Sequence, residues 1–134
     1  MSVKMHGTYI GKTRVKLTHE SGAEITTCAP KDNGGDGSLF SPTDLVAASA
    51  GACILTVMGL VAERHGIPFE GASFRAEKTM SANPRRIGKL EVEVTISAKL
   101  TDEQKKKLEA AAYTCPVKKS LDPAVEVNLR FIYS

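Results

Sequence analysis

Two of the three cysteines stand where sulfur chemistry can be argued from sequence. Cys115 directly precedes Pro116 at a predicted helix start, where unpaired backbone N–H groups and the helix dipole favour a thiolate. Lys118 and Lys119 lie in the next turn and push in the same direction. Cys53 stands 62 residues earlier, near the middle of a long apolar segment. Taken alone, a free cysteine in such a place reads as a small hydrophobe. A two-cysteine redox pair needs one thiolate to attack an oxidant and a second thiol to resolve the sulfenic acid. Cys28 falls in a predicted β segment without comparable context and reads as structural.

Other chemistries lack their residues. Cys28, Cys53 and Cys115 have no C-x-x-C spacing, and His6, His19 and His65 have no H-x-x-x-H spacing, so no metal is expected. No G-x-S-x-G elbow supports a serine hydrolase. The glycine-rich run Lys31 to Ser38 (KDNGGDGS) is not followed by Gly-Lys-Ser/Thr, so it is not a phosphate loop and reads as a mobile connection.

The elements that would carry these residues fit one domain over 1–134, long enough to bury about two thirds of its extended surface without staples. Lys plus Arg number 18 against 15 Asp plus Glu; the excess is too small and too scattered to imply a nucleic acid partner. Arg85-Arg86 and Lys105 to Lys107 are read as solvated faces. An odd, sparse cysteine count is wrong for a secreted disulfide scaffold. Met1 to Leu17 carries Lys4, His6, Lys12, Arg14 and Lys16 and shows no signal peptide, so a cytoplasmic location is expected.

Ser41-Pro42 opens the long segment as a helix cap and first helical residue, with Asp44 favourable in the first turn. Gly66 and Pro68 end it near His65, which is placed as a partner of the C-terminal dipole. Leu45 to Ala62 contains no charge, but its alanines, serine and glycine are too weakly apolar for a membrane span, so a buried helix is expected.

Gly7 to Thr18 reads as a strand, and Ala23 to Cys28 as its hairpin partner across Ser21-Gly22. Phe69 to Met80 and Leu90 to Leu100 follow, the latter with Leu90, Val92, Val94, Ile96, Ala98 and Leu100 on one face. Thr101 to Gln104 is a capping box for a helix reaching about Tyr113. A short helix from Cys115-Pro116 ends at Asp122-Pro123, and Ala124 to Phe131 closes the chain as a strand. The expected class is α+β in the order β-β-α-β-β-α-α-β. A helix apolar all round, with few elements to cover it, also points to a homodimer.

Ser41 to Cys53 (SPTDLVAASAGAC) and Cys115 to Leu121 (CPVKKSL), in this order and spacing, resemble the two active-site segments of the OsmC/Ohr family of organic hydroperoxide reductases. The resemblance spans essentially the whole chain. It implies an intertwined homodimer with two long central helices wrapped by antiparallel sheets from both chains. It also implies a cysteine peroxidase that reduces small organic hydroperoxides to alcohols with an external thiol or dithiol and no cofactor.

By that resemblance Cys53 is the peroxidatic cysteine and Cys115 the resolving one. The family holds its thiolate with an arginine from the N-terminal strand region. Arg14 is the only arginine before Cys53 and is the candidate, with Lys12 or Lys16 as alternatives. Members of the family carry glutamate at the third position of the Ser-Pro motif to orient that arginine. Here the position is Thr43, and Asp44 is the candidate for the role. Thr43 keeps open an alternative, a protein of the same fold with little turnover that binds a small apolar ligand.

Overall fold

The computed structural model describes residues 1–134, which divide into two compact units, Met1–Val46 and Ala47–Ser134.

In the first unit, Lys12 and Thr13 both take positive φ (53° and 62°). That is the conformation of a tight hairpin turn whose twist matches the flanking strands. The expected strand over 7–18 is therefore two strands, β1 (Met5–Gly11) and β2 (Arg14–His19). With β3 (Glu24–Thr27) they form an antiparallel sheet in the order β1-β2-β3. The alternation of Val15 and Leu17 was legible, but it belongs to β2 alone. Register places Met5, Tyr9, Val15, Leu17 and Ile25 on one face. Met5, Tyr9 and Ile25 on that face are 67%, 66% and 53% exposed.

The glycine-rich run contains a short turn of its own. A 3-10 turn over Lys31–Asn33 folds it back, with the Asn33 and Gly35 N–H groups both donating to the Pro30 carbonyl. A β-carbon at Gly35 would stand 1.6 Å from the Ala29 carbonyl oxygen, so this close return needs glycine.

The long helix α1 (Pro42–His65) begins with a reciprocal cap. The Asp44 N–H donates to Ser41 Oγ at 3.0 Å, and the Ser41 N–H donates to Asp44 Oδ2 at 2.9 Å. It ends in a Schellman pair: the Gly66 N–H donates to the Glu63 carbonyl, and the Ile67 N–H to the Ala62 carbonyl. By length and composition α1 could cross a membrane. Burial in the single chain is confined to one stripe, Ala47, Ala50, Gly51, Ile54, Met58 and Ala62. Ala52, Thr56 and Leu60 on the opposite side are exposed, as expected of an apolar helix that the elements of one chain cover only in part.

In the second unit, β4 (Ser73–Ser81) pairs antiparallel with β5 (Arg86–Ile96), and β6 (Glu126–Tyr133) joins β5 in parallel. Leu90, Val92, Val94 and Ile96 are buried on one face of β5. Glu91 and Glu93 lie on the other, where Glu93 pairs with Arg130. The strand stops at Ile96, short of the expected Leu100.

Helix α2 (Asp102–Ala112) starts in the expected capping box, with Gln104 N–H to Thr101 Oγ1 at 3.1 Å and Thr101 N–H to Gln104 Oε1 at 2.9 Å. Ile54, Met58 and Ala62 of α1, Val92, Val94 and Ile96 of β5, and Leu108, Ala111 and Ala112 of α2 make one core. Helix α3 (Pro116–Ser120) is short and lies before β6. The chain thus has one strand more than the order read from sequence.

Candidate functional site

Cys53 rides on α1, which its N-terminal cap and C-terminal Schellman pair hold at both ends. The helix is seated through Ile54 and Met58 on the inner face of β5, and the half-buried Cys53 packs against the same core. Cys115 belongs to that same core. After α2, the Thr114 N–H and hydroxyl both donate to the Ala111 carbonyl, and the Cys115 N–H donates to Ala112. This tight turn drops Cys115 inward, and Pro116 then starts α3. Tyr133 of β6 donates a hydrogen bond to Glu109 of α2, and Tyr113 meets Phe131 edge-on, so the turn is anchored to the sheet.

The two cysteines, which the family resemblance pairs, lie within hydrogen-bonding reach as free thiols. Cys115 is completely buried. Its sulfur caps α3 by accepting the Lys118 N–H at 3.5 Å.

The electrostatic expectation for Cys115 is reversed. Burial pushes its thiol above the ordinary value, and the hydrogen bond to Cys53 and the charge of an ionised Cys53 add to the rise. The N–H groups of Lys118 and Val117 pull the other way but do not prevail. A helix start lowers a thiol's pKa on balance only where its N–H groups outweigh the cost of desolvating the thiolate. Here desolvation wins, and Cys115 is a thiol at neutral pH.

Cys28, expected inside a strand, lies one residue beyond β3. It is buried, with its thiol 3.6 Å from Asp36 Oδ1 and 3.8 Å from the Leu39 carbonyl. Arg14, at the start of β2, sends Nη2 to Asp36 Oδ2 at 3.2 Å and to Ser38 Oγ at 3.3 Å. Asp36 was not singled out by sequence reasoning. The signal available was an aspartate two residues before a serine, the pattern of an Asx turn, inside the glycine run.

Asp44, the expected orienting carboxylate, has Oδ2 engaged by the Ser41 N–H. Thr43 Oγ1 stands 3.3 Å from Ser41 Oγ. No three His, Cys, Asp or Glu side chains converge in a way that could hold a metal ion.

Comparison with known proteins adds four findings. The model of the OsmC-like protein family matches residues 35–130. An osmotic stress induced and detoxification response protein of Psychrobacter arcticus superimposes with a TM-score of 0.90 at 38% identity, over 95% of this chain and 93% of that one. The organic hydroperoxide resistance protein OsmC of Legionella pneumophila shares the fold, with a TM-score of 0.77 at 20% identity over 98% and 97%. Among curated sequences, an uncharacterised protein of Acinetobacter baylyi is 29% identical over 112 residues, 81% of this chain and 78% of its own.

Proposed function

The chain belongs to the OsmC-like family, and from that premise we propose that it is a cysteine peroxidase that reduces organic hydroperoxides. The observation that carries the proposal is the proximity of Cys53 and Cys115: a half-buried thiol packed on the same core as a fully buried one and within its hydrogen-bonding reach.

In this reading the Cys53 thiolate attacks the outer peroxide oxygen. The O–O bond breaks, the alkoxide takes a proton and leaves as the alcohol, and sulfur keeps the hydroxyl as a sulfenic acid. The Cys115 sulfur then displaces that hydroxyl. The S–S bond forms, and the hydroxyl leaves with the Cys115 proton as water. Two equivalents of an external thiol, or one dithiol, restore the pair by exchange.

The raised pKa of Cys115 suits this division of labour. A protonated Cys115 donates its hydrogen bond to the Cys53 thiolate, and it does not compete with Cys53 for the peroxide. Arg14 is assigned to the thiolate by family resemblance, since a guanidinium fork can contact a thiolate and a carboxylate together.

We place the protein in the cytoplasm, where its thiols stay reduced, as a homodimer whose second copy covers the exposed side of α1 and the apolar face of the first sheet. Met5, Tyr9 and Ile25 on that sheet face and Leu60 on α1 are exposed large apolar side chains of the kind a partner surface covers.

The deciding experiment treats reduced protein with an alkyl hydroperoxide and maps the cysteines by peptide mass. The expected product is an intramolecular Cys53–Cys115 disulfide with Cys28 free. Cys53→Ser abolishes consumption, and Cys115→Ser consumes one equivalent and then over-oxidises at Cys53. Both thiols remaining alkylatable after peroxide would overturn the reading.

A further inference from the structure

The first unit builds a small polar assembly around Asp36, and its geometry is that of a carboxylate held to serve something else. Oδ1 accepts three donors: the Ser38 N–H at 3.0 Å, the Ser38 hydroxyl at 2.7 Å and the Cys28 thiol at 3.6 Å. These donors at one oxygen favour a single orientation of the carboxylate, which presents Oδ2 toward Arg14. There it meets Arg14 Nη2 at 3.2 Å.

The arginine is steadied from the other end. Thr13, its neighbour in the β1–β2 turn, accepts the Ala29 N–H on Oγ1 at 3.2 Å, which ties that turn to the segment carrying Cys28. The close return at Gly35 brings Asp36 back to the same place.

We propose that Asp36 is the residue that positions Arg14, with Cys28 as one of the donors that fix it, in the role that sequence comparison would give to Asp44 or to a glutamate at position 43. This rests on the reading that Arg14 supports the Cys53 thiolate.

Two observations set the expected behaviour. The Asp36 carboxyl is pulled down to about 2, first by the Ser38 N–H and hydroxyl, so the group is charged throughout the working range. The pair is also open to solvent, Arg14 at 35% and Asp36 at 61% side-chain exposure, so it contributes little to folding. Removing the charge therefore leaves the protein folded with a less constrained arginine.

The test is the pH profile of Cys53 alkylation by iodoacetamide, followed at the Cys53 peptide, alongside thermal melting. Asp36→Asn keeps the shape and the Oδ1 acceptor while removing the charge. It is expected to move the profile upward by about one pH unit, roughly tenfold slower alkylation at neutral pH, with little change in melting. Arg14→Ala moves it in the same direction, the double variant moves it no further, and Asp36→Glu restores part of the rate.

If Arg14→Ala shifts the profile and Asp36→Asn does not, or if Asp44→Asn shifts it instead, the assignment of Asp36 falls while Arg14 keeps its role. If Arg14→Ala shifts nothing, Arg14 and Asp36 both lose their roles. The peroxide-driven disulfide still decides separately whether Cys53 and Cys115 are a couple.

Discussion

Replacing Gly51 by alanine tests how closely α1 must approach the sheet for Cys53 to sit where it does. A β-carbon at Gly51 falls 2.3 Å from Cδ2 and Cε2 of Phe74 and 2.7 Å from Cζ. Carbon atoms in good contact stand about 3.5–4.0 Å apart, so helix or ring must yield by roughly 1 Å or more. Overpacking of this kind costs about 1–3 kcal/mol. Alanine returns about 1 kcal/mol through its better helix propensity. The net expectation is a loss of about 1 kcal/mol, or roughly 3–5 °C in melting temperature for a chain of this size.

The clean measurement is a double-mutant cycle with Phe74→Ala, at one fixed protein concentration. In that background the clash is gone, and Gly51→Ala should stabilise by about the propensity gain. Cys53 lies two residues along the same helix, so the displacement also moves its sulfur. Disulfide geometry tolerates little error, and peroxide-driven Cys53–Cys115 bridging should slow. Gly51→Ala raising the melting temperature in the wild-type background, with no coupling to Phe74, would refute the close-approach argument.

Two further outcomes are expected. Because the Cys115 thiol is raised, it is protonated below its folded pKa and its thiolate grows only as pH rises toward and above the ordinary cysteine value. Its alkylation should therefore be slower than that of a free cysteine at neutral pH and climb steeply in alkaline buffer; fast, pH-independent modification would contradict the burial argument. If the exposed side of α1 and the first sheet's apolar face are covered by a second copy, sedimentation gives twice the chain mass and dilution lowers the melting temperature. A stable, dilution-independent monomer would remove the dimer.

What could be learned from the sequence is what short-range chemistry writes. The Ser41–Asp44 and Thr101–Gln104 caps, the stop at Gly66 and the period-two run of β5 each satisfy backbone or burial demands within a few residues. They were legible because no distant group is needed to form them. The two cysteine segments were legible as a family resemblance for a related reason, since each motif is contiguous. The split of the first strand was missed because Lys12 and Thr13 carry no glycine or asparagine to announce a turn with positive φ.

Tertiary structure decided everything that depends on which surfaces meet. It brought Cys115 to Cys53 through the core. It reversed the electrostatic expectation for Cys115, because desolvation depends on what surrounds a sulfur and not on its neighbours in sequence. It placed Asp36 on Arg14 across 22 residues by folding the glycine run back onto Ala29. Local sequence determined where the helices begin and end and which faces of the strands are apolar; the approach of Cys115 to Cys53, which the family resemblance implied, and of Arg14 to Asp36 required packing, where burial and distance set the energy.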